Sequence, residues 1–147
     1  MVTITLKDLV EKTDQFFERY WNIEDATPQW SEPWEFNGTI PNHDQKGCYA
    51  LFEGEKLVYI GLAIGFNGKG LYEGHGIGSR LHRVWRKNSK KNGEDYEPGP
   101  GYEDITSLRS IGFGVGESKD HFPIAAALEV FPIIHLKPRR NFTYKPK

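Results

Sequence analysis

The sequence predicts an α/β protein of the α+β type, in which helices flank a small three-stranded antiparallel sheet. Three features support this: an amphipathic stretch near the N-terminus, two short apolar runs joined by a glycine-containing turn, and a later run that alternates apolar residues with glycines. The chain has 147 residues, 37% of them hydrophobic, which suffices for one ordinary core. We therefore expect one compact unit.

Residues 1–45 are expected to form an N-terminal helix and an extended wrap. Thr5 can cap a helix that runs to about Tyr20, because apolar residues recur at helical spacing and an acid stands three residues after the cap. Between residues 22 and 45, prolines restrict the backbone, while Trp30 and Trp34 add aromatic surface. We expect the two tryptophans to clamp this segment to the core; stacking on unpaired bases is the alternative.

Three strands and a last helix are expected in the main body. The strands are predicted at residues 48–52, 57–62 and 108–115. The first two should form an antiparallel hairpin across their short turn. Gly112 and Gly114 leave one face of the third strand bare, so that another group can approach its backbone. The last helix should begin after about residue 120 and be ended or kinked by Pro132.

Charge is distributed unevenly along the chain. Residues 1–46 hold nine acidic and four basic residues, whereas residues 47–147 hold eleven and fifteen. Six of these cations fall between Arg80 and Lys91, a stretch that we interpret as a helix capped by Ser79. Such a cluster is either a phosphate-binding surface or a solvated helix face. The Pro- and Gly-rich residues 92–104 are expected to form a mobile loop.

Composition argues against several classes of protein. A single cysteine, Cys48, allows no intrachain disulfide, and with five scattered histidines it makes structural zinc improbable. No secretory signal and no apolar stretch of membrane-spanning length is present. We therefore expect a cytosolic protein without a membrane partner. A homodimer is allowed by the sequence.

Five short motifs occur in a fixed order along the chain. They are Gly47-Cys48-Tyr49, Tyr59-Ile60-Gly61, Arg80 at a helix start, Glu129 in a later helix, and Pro138-Arg139-Arg140-Asn141. This set resembles the GIY-YIG nuclease family over about residues 46–142. The resemblance implies a GIY-YIG-like nuclease domain at residues 46–147, with residues 1–45 outside it.

The resemblance implies a metal-dependent endonuclease that hydrolyses phosphodiester bonds in DNA. Glu129 would be the sole protein carboxylate on one Mg²⁺ or Mn²⁺ ion, whose other ligands would be water and phosphate oxygens. Arg80 would bind the scissile phosphate through its planar guanidinium. Tyr49 would act as the base on the attacking water, and Tyr59 would orient the water or the phosphate. A phenol titrates near 10, so a nearby cation or the metal would have to lower the pKa of this base.

Two positions depart from the family pattern. Leu62 stands where many members carry lysine, and Val84 stands where some nucleases carry histidine. His82, Lys69 or His75 are the candidates to compensate, and we include His82 among the catalytic candidates. The residues expected to contact nucleic acid are Arg83, Arg86, Lys87, Lys90, Lys69 and Asn141. Asn141 should also hold the C-terminal segment through side-chain hydrogen bonds.

Two other functions compete with the nuclease. One is a catalytically weak or inactive nucleic-acid-binding module on the same scaffold, which the two departures and the basic stretch favour. The other is a protein-interaction domain, in which the acidic, tryptophan-rich residues 1–45 would bind a protein partner.

Overall fold

The computed structural model describes residues 3–22, 24, 26–64, 77–81, 84–87, 96–114 and 121–142. Within these ranges the chain forms three α-helices, five strands and a 3₁₀ turn near the C-terminal end of the described part. The helices are α1 (Leu6–Tyr20), α2 (Ile77–Arg80) and α3 (His121–Leu136), and the 3₁₀ turn covers Arg139–Asn141. The strands are β1 (Gly47–Glu53), β2 (Lys56–Ala63), β3 (Trp85–Lys87), β4 (Tyr96–Pro98) and β5 (Ser107–Gly112).

The central sheet is the predicted three-stranded antiparallel one. Its strand order is β2-β1-β5, with β1 paired antiparallel to both neighbours. The first two predicted strands lie inside the observed ones. The third ends at Gly112, short of the predicted Val115, which lies outside the described residues. The α+β fold class is therefore confirmed.

The sheet is covered on both faces. Side chains of a strand alternate between faces, so Cys48 packs with Phe17 of α1 and with Ala125 of α3. On the other face, Leu51 packs with α2 and the N-terminal segment. A strand covered on both sides should be apolar throughout, and β1 is buried from its first residue to its sixth.

The N-terminal residues form the predicted helix and wrap. The N–H of Thr5 donates to Oδ2 of Asp8 at 2.9 Å, which completes the capping box of α1. Trp34 is 3% exposed, and its backbone exchanges two hydrogen bonds with Leu108 in β5 at 2.7 and 2.9 Å. Nε1 of Trp30 donates to Oγ1 of Thr13 at 2.8 Å. The two tryptophans thus clamp the wrap to the core, and burial leaves Trp34 unable to stack on a base.

The prediction of a helix over the basic stretch from Arg80 to Lys91 is wrong. Helix α2 ends at Arg80, and Ser79 lies inside it and does not cap it. Val84 is buried, and the ring of Trp85 packs on that of Tyr96 at 4.6 Å between centroids. Aromatic and β-branched residues favour a pleated, half-buried surface. The chain therefore enters the two-stranded sheet β3-β4, which the sequence analysis missed.

The expected mobile loop needs correction, and of the two effects expected of Pro132, an end of the helix or a kink, the structure excludes the end. Residues 96–98 form β4, whose Tyr96 N–H donates to the carbonyl of Phe36 at 2.8 Å. Helix α3 continues through Pro132 to Leu136. Proline removes one helical hydrogen bond, but Ile133 and Leu136 beyond it pack against the sheet. None of the described helices is long and apolar enough to cross a membrane.

Candidate active site

Tyr49 and Tyr59 lie side by side on one face of the central sheet. Tyr49 stands opposite Gly61 and Leu51 opposite Tyr59 in the register of β1 and β2, which makes the tyrosines diagonal neighbours. Their ring centroids are 6.0 Å apart, with 39° between the planes. Tyr49 is 8% exposed, whereas Tyr59 is half-buried. The sequence predicted this shared face.

Two motif glycines make room for close contacts at this end of the sheet. A Cβ atom at Gly61 would stand 2.5 Å from the hydroxyl oxygen of Tyr49 and 2.7 Å from its Cε1. The tip of the phenol therefore lies over β2, which is an edge strand. A Cβ atom at Gly47 would collide with the backbone carbonyl of Ile111. Only glycine fits at either position.

Helix α2 approaches the same face as the tyrosines. Ile77 and Leu81 are fully buried, in the hydrophobic cluster that also contains Tyr49. Because Leu81 directly follows Arg80, the backbone of Arg80 borders this cluster. The side chain of Arg80 lies outside the described part of the structure.

Glu129 belongs to α3, on the opposite face, but at the same end of the sheet. The Sγ atom of the buried Cys48 donates to the carbonyl oxygen of Ala125 at 3.2 Å. Burial, followed by the negative charge of Glu129, raises the pKa of the Cys48 thiol well above its ordinary value. The carboxylate of Glu129 thus acts on the residue that directly precedes Tyr49.

Glu129 lies on the flank of α3 that faces away from α1. The ring of Phe131 contacts that of Phe16 in α1, at 5.7 Å between centroids. Residues two positions apart are about 200° apart around a helix, so Glu129 lies nearly opposite Phe131. Its side chain is half-buried, and α3 packs against both β1 and β2.

Asn141 fixes the outer edge of β2. Its Oδ1 accepts a hydrogen bond from the N–H of Ile60 at 3.0 Å, and its Nδ2 donates to the carbonyl of Ile60 at 2.9 Å. Ile60 stands between Tyr59 and Gly61, so one side chain holds the second tyrosine motif from outside the sheet. The expected hold on the C-terminal segment is confirmed, while nucleic-acid binding by Asn141 stays a prediction.

The two arginines of the same motif bind acids at the opposite end of the sheet. Arg139 contacts Glu53 at 2.7 Å and Asp104 at 2.5 Å, and Arg140 contacts Asp104 at 2.7 Å. Arg140 also lies over the ring of Tyr102, 4.9 Å from its centroid. Burial alone would raise the pKa of Asp104, but the hydrogen bonds from both arginines outweigh it, so this pKa lies below the ordinary 3.8.

Several predicted catalytic and nucleic-acid-binding residues lie outside the described residues. These are His75, His82, Arg83, Lys69 and Lys90, and also the side chains of Arg86 and Lys87. The backbones of Arg86 and Lys87 belong to β3, where they stand opposite Glu97 and Tyr96.

No family model, curated protein or solved structure matches this chain. The GIY-YIG resemblance therefore stays a prediction. The two departures from that pattern both have structural counterparts. Val84 is 3% exposed in the core, so that a histidine there would have to be accommodated in apolar surroundings. Leu62 is half-buried opposite Cys48, on the face that α3 covers.

Lys46 is a candidate that the sequence analysis missed. It directly precedes Gly47 and is 2% exposed, and burial lowers the pKa of its ammonium group. A buried lysine with a shifted pKa at a candidate site is a functional candidate. The sequence offered no signal, because a lysine before a strand is usually a surface cation.

Two clefts of 390 and 270 Å³ lie away from the tyrosines. Both are lined by Leu6 and Arg109, where α1 meets the wrap, and neither includes Tyr49, Tyr59 or Glu129. Within the described ranges, no group of three or more His, Cys, Asp or Glu residues is gathered for a metal ion.

Proposed function

We propose that this chain is a metal-dependent endonuclease of the GIY-YIG type that hydrolyses phosphodiester bonds in DNA. The observation that carries the proposal is the phenol of Tyr49 over Gly61, with the ring of Tyr59 beside it, at the sheet end that α2 and Glu129 also approach. A DNA strand would lie along the outer edge of β2, at the residues that follow Ile60. There it would contact groups from both faces of the sheet.

In this proposal the two tyrosines handle the attacking water. Tyr49 accepts a proton from the water as it attacks phosphorus, and Tyr59 orients the water by a hydrogen bond. A phenol near pH 7 is a poor base unless positive charge lowers its pKa. Arg80 and the phosphate-bound metal are the candidate sources of that charge.

Arg80 and Glu129 deal with the negative charge of the phosphate. The guanidinium of Arg80 stabilises the phosphoryl oxygens as charge develops on them. Glu129 would hold the ion, which when bound would neutralise phosphate charge and assist the leaving oxygen. The donor set fits Mg²⁺ or Mn²⁺: its one protein ligand is a carboxylate oxygen, and the neighbouring Cys48 is held in the thiol form by its raised pKa.

The test is cleavage of supercoiled plasmid with Mg²⁺ or Mn²⁺. We expect nicks or breaks that disappear with EDTA, and losses of about 10²-fold or more in Glu129→Gln and Arg80→Ala. Matched controls are Glu11→Gln and Arg19→Ala, both at exposed positions on α1, and these should cleave like the natural protein. Unchanged cleavage in both site variants would overturn the proposal.

A nucleic-acid-binding module without catalysis is the second candidate. The buried Val84 and the half-buried Leu62 favour it, because each takes a position where related nucleases carry a protonatable side chain. It predicts DNA binding in EDTA without cleavage in Mn²⁺. Its affinity should fall with salt, by a log-log slope of about −0.9 for each phosphate contact.

A further inference from the structure

The first two N–H groups of α2 are bound by the N-terminal segment. The N–H of Ile77 donates to the carbonyl of Gln45 at 2.7 Å, and the N–H of Gly78 donates to the carbonyl of His43 at 2.9 Å. The first N–H groups of a helix have no partner inside it, and a helix of four residues is too short to hold itself together. The position of α2 therefore depends on the loop at residues 40–45.

This loop is tied to β5 by a chain of polar side chains. Oε1 of Gln45 accepts from the N–H of Gly114 at 3.2 Å, and its Nε2 donates to Oδ1 of Asn42 at 3.1 Å. Nδ2 of Asn42 donates to Oγ of Ser110 at 3.1 Å, and this hydroxyl donates to the carbonyl of Pro41 at 2.5 Å. Ser110 is fully buried, where such a satisfied network fixes one arrangement.

The loop fits closely against its neighbours at both ends. A Cβ atom at Gly112 would stand 2.7 Å from Cδ of Gln45, so the loop packs against β5 where Gly112 leaves the strand without a side chain. A Cβ atom at Gly78 would stand 3.1 Å from the carbonyl oxygen of His43. Ile40 is buried in the same cluster as Ile77. Neither end of the contact can shift without displacing packed atoms.

We infer that the Ser110–Asn42–Gln45 network positions α2 and, through it, Arg80 for catalysis. The N-terminal segment is then part of the active site, although it lies outside the motif-bearing region. This inference rests on the proposed function, since it assigns a positioning role toward that reaction. Gln45 is the member of choice for a test, because it is half-buried and makes both of its contacts through one amide.

The experiment is a double-mutant cycle of Gln45→Ala and Arg80→Ala on plasmid cleavage. We expect Gln45→Ala to lower kcat by about 10- to 100-fold with little change in KM, and to have no further effect when Arg80 is already alanine. Gln29→Ala, at an exposed position of the same segment, is the matched control and should be neutral. Thermal unfolding of every variant shows whether it still folds. If Gln45→Ala does not fold, Gln45→Glu, which keeps the acceptor oxygen, takes its place in the cycle.

An equal loss in both Arg80 backgrounds would overturn the inference, because it would mean a role independent of Arg80. If the natural protein does not cleave DNA, the proposed function is refuted. The same double-mutant cycle is then measured on the affinity for DNA in EDTA. There, weaker binding by Gln45→Ala only when Arg80 is present supports the positioning role. Equal weakening with and without Arg80 overturns it.

Discussion

The phenol ring of Tyr49 occupies the space where a side chain of Gly61 would stand, with its hydroxyl oxygen 2.5 Å from that Cβ position. These residues face each other across β1 and β2. The glycine thus decides where the tip of the phenol lies, which ties the two tyrosine motifs into one physical unit.

Gly61→Ala should therefore displace the ring of Tyr49. We expect a loss of about 1–3 kcal/mol in the free energy of unfolding, as for other overpacked cores, and loss of DNA cleavage. Denaturant unfolding and plasmid cleavage measure the two effects. Gly54→Ala is the control: its φ of +60° strains an alanine, but nothing lies within 4 Å of the new Cβ. It should lose stability and keep activity; loss of activity in both variants would contradict this explanation.

Removing single hydroxyl groups separates chemistry from packing. Tyr49→Phe keeps the ring over Gly61, so its thermal unfolding should change little while kcat falls by about 10²-fold or more, the usual contribution of a general base. Tyr59→Phe should lower kcat by less, because it only orients the water. A larger loss in Tyr59→Phe than in Tyr49→Phe would reverse the two assigned roles.

Asn141→Ala tests the hold on the edge of β2. It leaves the N–H and C=O of Ile60 without their side-chain partner, at an expected cost of about 1–3 kcal/mol of stability. Arg139→Ala is the comparison, because its ion pairs are about half exposed and should contribute less than about 1 kcal/mol. Urea unfolding measures the loss of stability in both variants. Equal losses would mean that the hydrogen bonds of the Asn141 amide stabilise the fold no more than the ion pairs of Arg139.

Stability should depend on the charge of Asp104 in acid. Its pKa in the folded state lies below 3.8, so the stabilisation from its arginine partners is fully present above that value and is lost as the pH falls through the folded pKa. Asp104→Asn should show a smaller loss of stability than the natural protein between about pH 5 and pH 2. Because the pair is about one-third exposed, the difference should stay below about 1 kcal/mol. Identical profiles of stability against pH for the natural protein and Asp104→Asn would contradict this role of the Asp104 charge.

The sequence was informative where local pattern and packing agree. The cap at Thr5 specified the start of α1, and the two apolar runs on either side of a short glycine-containing turn specified the hairpin, because caps and turns are local signals. The basic stretch after Arg80 was misinterpreted, since Ser79 suggested a helix cap while the buried Val84 and the half-buried Trp85 favoured a strand. A potential cap residue is a weak guide to secondary structure when the apolar residues after it decide burial.

For the candidate site, the sequence predicted the pairing of Tyr49 with Tyr59 but not the contribution of residues 40–45. Those residues reach α2 through backbone carbonyls, which any residue type supplies. Gln45 and Asn42 act through a partner 68 residues or more away along the chain, and a single sequence carries no record of such a pair.

The central claim is that Glu129 and the two phenols serve one metal and one phosphate. The most direct measurement is a crystal structure of the protein soaked with Mn²⁺, read by anomalous scattering. We expect one Mn²⁺ ion within about 2.5 Å of a carboxylate oxygen of Glu129, at the outer edge of β2 and facing the hydroxyls of Tyr49 and Tyr59. An ion bound elsewhere, or one at Glu129 that the sheet separates from both phenols, would contradict it.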